Sequence, residues 1–220
     1  MYEDAKQDIF RLQDRVTGSL QVGASFTIGE YILPRLLAEF AGQYPQVEMS
    51  VTIGNTEEIS QAVRGNKLDL GLVEGSVTAA DLIVTPYMKD EMILIAAAGH
   101  PLASLRIAGL PLLQNQVWVL RESGSGTRAF SDQFIRQAGL AVKRSYVFNS
   151  SQGVKEAVAA GLGIAILSRW VVRKELEAGE ICEIAIKGSR LERDFSLIRS
   201  KDHAATMACS VFIQKLLGRS

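Results

Sequence analysis

Residues 19–73 read SLQVGASFTIGEYILPRLLAEFAGQYPQVEMSVTIGNTEEISQAVRGNKLDLGLV. The stretch decides the fold because its hydrophobic period changes repeatedly. Ser19–Ala24 alternates as a short strand. Gly29–Tyr44 places Ile32, Leu33, Leu36, Leu37 and Phe40 on one helical face, with Pro34 in the early turns, where proline costs least. Val47–Ile53 alternates again as a half-buried strand. Thr56–Arg64 is a helix with Ile59 and Val63 inward, and Leu68–Val73 is a third strand. Strands and helices that alternate at this spacing imply right-handed βαβ units and a mostly parallel sheet.

Further along, Leu82–Ala98 (LIVTPYMKDEMILIAAA) is two extended runs broken at Lys89-Asp90-Glu91, and reads as one long strand passing between two lobes. The alternation then restarts. Strands are expected at Gln116–Leu120, Arg144–Phe148, Gly163–Leu167, Ile181–Ile186 and Asp194–Arg199. Helices are expected at Gly126–Ala138, Ser151–Ala160, Arg169–Glu177 and Thr206–Leu217. The fold class is therefore α/β, with two Rossmann-like lobes joined by two crossover strands near Pro86 and Asp194. The boundaries are 18–87 with 196–220 for lobe I and 88–195 for lobe II. Two crossings make a hinge and leave a cleft at the carboxyl ends of the strands, where small molecules bind.

Ahead of this pattern, Ile9, Leu12 and Val16 form one narrow apolar stripe within residues 3–16. Two readings remain open: a coiled-coil seam, or an amphipathic leader left by expression. Thr17-Gly18 ends that helix.

The 220 residues carry 24 basic and 24 acidic side chains, are 47% hydrophobic and have no long run of either charge. Wholesale disorder is excluded, and so is a polyanion-binding surface over the whole chain. Two cysteines, Cys182 and Cys209, cannot build a disulfide framework or a cysteine-rich zinc site. His100 and His203 fall in no paired metal motif. No apolar run approaches the ~20 residues of a membrane span. The N-terminal stretch lacks a signal peptide's apolar run, so a cytoplasmic location is expected. No G-x-S-x-G elbow, H-E-x-x-H or Walker lysine is present. His100 and His203 read as exposed or capping, and both thiols as buried and inert. Catalysis and metal chemistry have no candidate residues.

The chemistry gathers at the strand-to-helix junctions: ASFTIG (24–29), GNT (54–56), ESGSGTR (122–128) and NSSQ (149–152). In a parallel sheet these lie on one edge, and each opens a helix whose free N–H groups suit an anion or carboxylate. Ser, Thr and Asn are also the preferred N-caps of any helix, so capping alone is the competing reading at any one junction. Two details favour a ligand. The glycines of Ser123-Gly-Ser-Gly-Thr127 permit close backbone approach. Arg128, in a first helical turn, opposes the helix dipole and would be explained by an anionic partner, or equally by pairing with Glu122 or another local carboxylate.

GSLQVGAS (18–25), YILPRLLAEFAGQYPQVEMSV (31–51), LDLGLV (68–73), AAAGHPLA (96–103), ESGSGTR (122–128) and AAGLGIAILSRWVV (159–172) carry a resemblance in their order and spacing. From about Gly18 onward the chain resembles the effector-binding (regulatory) domain of LysR-type bacterial transcriptional regulators. The resemblance implies a fold like that of type 2 periplasmic binding proteins, an inducer in the inter-lobe cleft and no cofactor. At matching positions it implies Ser25, Thr27, Thr56, Ser123, Gly126, Thr127, Asn149 and Ser150 as ligand contacts, which join Arg128 from the residue reading. Phe26 and Ile28 would offer apolar contact. IGNTEEI (53–59) and RESGSGTR (121–128) also resemble regulators of sulfur assimilation and carbon fixation. Full-length members begin with a winged helix-turn-helix and a dimerising linker helix. The expectation is thus a fragment whose residues 1–17 end that linker.

The expected function is sensing of a small anionic effector and oligomerisation (a homodimer, and a tetramer when full length). DNA is touched only through the missing N-terminal domain, and no membrane is involved. The alternative on the same fold is a solute-binding protein for transport, which needs export. A bilobal enzyme ranks lower because it needs a catalytic acid or nucleophile in the cleft.

Overall fold

The computed structural model describes residues 16–105, 107–188 and 190–218; the expected leader helix at 3–16 lies almost wholly outside them. The chain divides into two units. Unit 1 takes the described residues up to Val73, Val77–Met88 and the chain from Ser196 on; unit 2 takes Glu74–Ser76 and Lys89–Phe195.

Unit 1 is built on strands β1 (Gly18–Ser25), β2 (Val47–Gly54) and β3 (Leu70–Glu74). Leu20, Val22 and Ala24 of β1 are wholly buried at every second position, so the strand is central. It pairs in parallel with β2 on one side and β3 on the other. Next in the hydrogen-bonded order come β11 (Leu191–Ser200) and β4 (Leu82–Ala97), the two strands through which the chain passes between units.

Three helices follow the first strands: α1 (Phe26–Tyr31), α2 (Leu33–Gln43) and α3 (Thr56–Arg64). The single helix expected over 29–44 is in fact two. Pro34 supplies no N–H to an upstream carbonyl, and its ring crowds the preceding turn. The chain bends at Ile32 (φ −119°), and Pro34 sits in the first turn of the second helix. Helix α3 begins with a reciprocal cap: Asn55 Oδ1 accepts from Glu58 N–H, and Glu58 Oε2 accepts from Asn55 N–H. Its Ile59 lies against glycine backbone. A Cβ at Gly71 would come 2.8 Å from Ile59 Cγ2, which is why the strand carries glycine there. Ile59, Val63, Leu68, Val73, Leu82 and Ile198 form one core cluster. The closing helix α7 (Met207–Leu217) stacks Phe212 edge-on to Phe40 at 5.3 Å.

Unit 2 has a parallel pair, β6 (Gln116–Arg121) and β7 (Val142–Phe148), bridged from Trp118 to Ile164 ahead of β8 (Ala165–Ser168). Helices α4 (Gly126–Gln137), α5 (Ser151–Ala159) and α6 (Arg169–Ala178) follow these strands in turn. Trp118, Leu120, Met92, Leu94, Ile164 and Ile166 anchor the core. Two expectations are corrected here. The strand expected over Ile181–Ile186 is broken into β9 (Ile181–Glu183), antiparallel to β4, and β10 (Ala185–Ile186), parallel to β5 (Ile107–Ala108). The pairing with β4, by β8 as well as β9, is antiparallel, so the sheet is mixed rather than mostly parallel.

Candidate functional site

In unit 1 the parallel register puts Ser25 opposite Gly54. The β1–α1 and β2–α3 junctions therefore lie side by side at the carboxyl edge, which brings Ser25, Thr27 and Thr56 together. All three are buried. Ser25 occupies the N-cap position of α1, yet its side chain makes no cap bond. Its Oγ has no hydrogen-bond partner among the described residues, although the residue is only 2% exposed. A buried hydroxyl left this way costs about 1–3 kcal/mol. Helix α1 has no acid in its first turn, whereas α3 has Glu57 and Glu58.

Unit 2 repeats the arrangement. Arg121 pairs with Phe148 across β6 and β7, and Glu122 N–H donates to Phe148 C=O at 3.0 Å. The loop 122–126 and the Asn149-Ser150 junction thus share one edge. Ser123 and Asn149 are exposed there. Ser125, not Ser123, caps α4, its Oγ accepting from the N–H groups of Thr127 and Arg128. Ser150 caps α5, accepting from Gly153 N–H at 3.0 Å. Capping thus claims Ser150, as the general preference of serine for that position anticipates.

Gly126 has a steric reason of its own. A Cβ there would lie 2.2 Å from the carbonyl oxygen of Glu74, so only glycine lets α4 start against the end of β3. Arg128 settles on the pairing alternative: its Nε meets Asp132 at 2.9 Å, one helical turn on, and its Nη1 donates to Arg121 C=O at 2.9 Å. Glu122 is held instead by Arg121, which also donates to Ser151 Oγ at 2.7 Å.

Thr127 is turned inward. Its hydroxyl donates to Glu74 Oε2 at 3.0 Å and accepts from Arg193 Nη1 at 3.0 Å. Arg193 also pairs with Glu74 at 2.9 Å and with Asp90 at 2.7 Å, and Asp90 accepts from Ser168 Oγ at 2.6 Å. Burial raises the Asp90 carboxyl above its ordinary value, while Arg193 and Ser168 pull the other way. Sequence reasoning did not find Glu74, Asp90 and Arg193. Asp90 and Arg193 each lie between charged neighbours in their strands, Glu74 ends an apolar one, and 103 residues separate Asp90 from Arg193, so no local pattern marks them as a group.

His100 and the two cysteines complete the residues singled out from the sequence. His100 Nδ1 accepts from Leu102 N–H at 3.2 Å, and desolvation lowers the ring's pKa. Burial raises both thiols, Cys209 to about 11. Cys182 is only partly buried, against the expectation of full burial; it lines an open groove with His100, Pro101, Leu176 and Glu183. Among the described residues no group of three or more His, Cys, Asp and Glu could hold a metal ion. Nor is any of their helices long and apolar enough to cross a membrane.

The LysR substrate binding domain model matches residues 13–220. The chain belongs to that family. It is 44% identical over 216 residues to the HTH-type transcriptional regulator CysL of Bacillus subtilis, covering 98% of this chain and 72% of that protein. Among solved structures it is similar to the Synechocystis PCC6803 CcmR regulatory domain in complex with 2-PG. The TM-score is 0.85 at 27% identity, over 92% of this chain and 97% of that one. The effector binding domain of QuiR in complex with shikimate shares the fold, with a TM-score of 0.84 at 20% identity, over 93% and 97%. The LysR domain is therefore regulatory rather than catalytic, with the type 2 periplasmic-binding-protein-like α/β fold of its neighbours.

Proposed function

We propose that this LysR domain senses a small anionic effector, using the junctions of both units, and that the regulator carrying it changes its packing when the effector binds. A ligand shifts such an equilibrium only by the difference in its affinity for the two states. The observation that carries the reading is the orphaned Ser25 hydroxyl, a buried donor at a helix start that lacks acidic residues. An anion there satisfies the donor and complements the helix N-terminus at once. The CcmR regulatory domain, similar to this chain and in complex with 2-PG, supports a small-molecule effector. Thr27, Thr56, Ser123, Gly126, Asn149 and Ser150 complete the proposed contacts. Thr127 and Arg128 contribute by position, since their side chains are spent on internal partners.

The wider assignment is a cytoplasmic homodimer, tetrameric when full length. The linker-helix end expected at 1–17 falls almost wholly outside the described residues, and DNA contact is assigned to the helix-turn-helix domain after which the curated relatives are named. The outward Val51 and Ile53 of β2 and Val147 of β7 support self-association, being exposed apolar groups on strands at the edges of their pairings. Thermal shift of the parent and Ser25→Ala against small carboxylates, amino acids and sulfur or nitrogen oxyanions tests the effector reading. The parent is expected to be stabilised by at least one anion and the variant much less. Equal stabilisation of both removes Ser25 from the site.

A further inference from the structure

The buried charges of unit 2 sit where two helices begin. Glu74 accepts from Thr127 in the first turn of α4. Asp90 accepts from Ser168 Oγ, and that same oxygen accepts from Trp170 N–H to cap α6. Arg193 lies between the carboxylates, with Phe195 5.5 Å below its guanidinium. Glu74, Asp90 and Arg193 are at most 6% exposed. Two carboxylates and one guanidinium are buried together, which is costly unless their charges are compensated. Each helix N-terminus supplies roughly half a positive charge. The ends of α4 and α6, held against the cluster, therefore help to offset its charge.

The same arrangement binds together parts of the chain far apart in sequence. Glu74 ends β3, Asp90 lies in β4 and Arg193 in β11, the two strands that continue into unit 1. Beside the buried Asp90–Arg193 pair, Lys89 and Asp194 make an exposed pair at 2.7 Å, so consecutive residues of both strands are tied. Gly126 brings the backbone of α4 directly onto Glu74, leaving no slack between the helix and the cluster.

We propose that Arg193, Glu74 and Asp90 are positioning residues of the effector site, fixing loop 122–126 and the first turn of α4 to the crossover strands β4 and β11 through the Thr127 hydroxyl. The proposal rests on the effector reading above for its functional meaning. Thr127 acts as the latch between loop and cluster rather than as a ligand contact. A movement of the loop on ligand binding must disturb the hydrogen bonds of Arg193, and hence the strands that leave the unit.

The test uses the full chain with Thr127→Val, which removes the hydroxyl and keeps the shape and both ion pairs of Arg193. Thr127→Ser serves as the conservative rescue, and Glu74→Gln as a second route to the same latch. Amide hydrogen exchange is measured without ligand. Thr127→Val is expected to speed exchange about tenfold in the first turn of α4, around Arg193 in β11 and in the first turn of α6. Thr127→Ser restores the parent rates, and Glu74→Gln reproduces the pattern. Faster exchange confined to α4, or none, overturns the proposal. A second arm titrates sulfate. If sulfate stabilises the parent, Thr127→Val should bind it about tenfold more weakly and Thr127→Ser normally; unchanged affinity in the valine variant also overturns the positioning role. If sulfate and the other screened anions leave the parent unmoved, the effector reading is what fails, and the ligand-free exchange still decides whether the latch exists.

Discussion

Replacing Ser25 by alanine should raise the stability of the ligand-free chain and lower its response to effector. Ser25 is 2% exposed and its hydroxyl meets no partner among the described residues, so the folded state carries the hydroxyl's desolvation cost. Such a cost is about 1–3 kcal/mol, and losing the oxygen leaves only a small void. A net gain of about 1 kcal/mol raises Tm by about 2–4 °C in a chain of this size. With effector the sign turns. A hydrogen bond to a charged group contributes about 1.5–3 kcal/mol, so the variant should bind roughly 10–100-fold more weakly. At 100 times the parent's Kd, effector adds about 2.7 kcal/mol to the parent. It adds about 1.4 kcal/mol to a variant with tenfold weaker binding, and about 0.4 kcal/mol to one with hundredfold weaker binding. Ser25→Ala should therefore melt above the parent alone and below it when effector is saturating. Differential scanning calorimetry with and without effector reads both numbers. A variant that loses stability without ligand and keeps the parent's full shift with it would refute the reasoning.

Three other outcomes follow from the packing and the charges. Gly126→Ala forces a Cβ to 2.2 Å from the Glu74 carbonyl oxygen, where backbone cannot give way, and should lower Tm by about 5 °C or more; an unchanged melting curve would contradict the close approach. The folded chain holds the Asp90 proton more tightly than the unfolded chain, because burial raises that carboxyl above 3.8. Its contribution to stability is full below that value and fades as pH rises through the raised one, opposite in sign to Glu91 and Asp81, which their arginine partners lower. Urea unfolding from about pH 4 to pH 7 should therefore show stability rising more steeply in Asp90→Asn than in the parent, and a shallower rise in the variant would reverse the assignment. Cys209, raised to about 11, is roughly one part in a thousand thiolate at pH 8 and is buried. Alkylation followed by mass spectrometry should label Cys182 first and Cys209 only on unfolding; labelling of Cys209 first would contradict its burial.

Strand and helix alternation was legible because periods of two and of 3.6 residues hold wherever one face is buried, as at Leu20, Val22 and Ala24 or at Ile59 and Val63. Breaks in a continuous apolar pattern were not. Ile32 keeps the helical stripe while its backbone leaves the helix, and Ile181–Ile186 stays apolar while its halves pair with different strands. Parallel or antiparallel pairing of β4 depends on how distant segments return, which local pattern does not encode. The junction serines and threonines were visible because helix starts select them. Capping and ligand contact use the same side chains, however, so sequence could not separate Ser150, which caps, from Ser25, which does not. The Glu74–Arg193–Asp90 cluster was hidden because each member meets its partners only after folding.

The central claim is that small-anion binding is a property of this LysR domain and runs through Ser25. Isothermal titration of the parent and Ser25→Ala with the anion that gives the largest thermal shift tests it most directly. Saturable binding to the parent, weakened at least tenfold in the variant, is the predicted result. Equal affinity in the two proteins, or a parent that binds neutral and cationic compounds but no anion, would contradict the account.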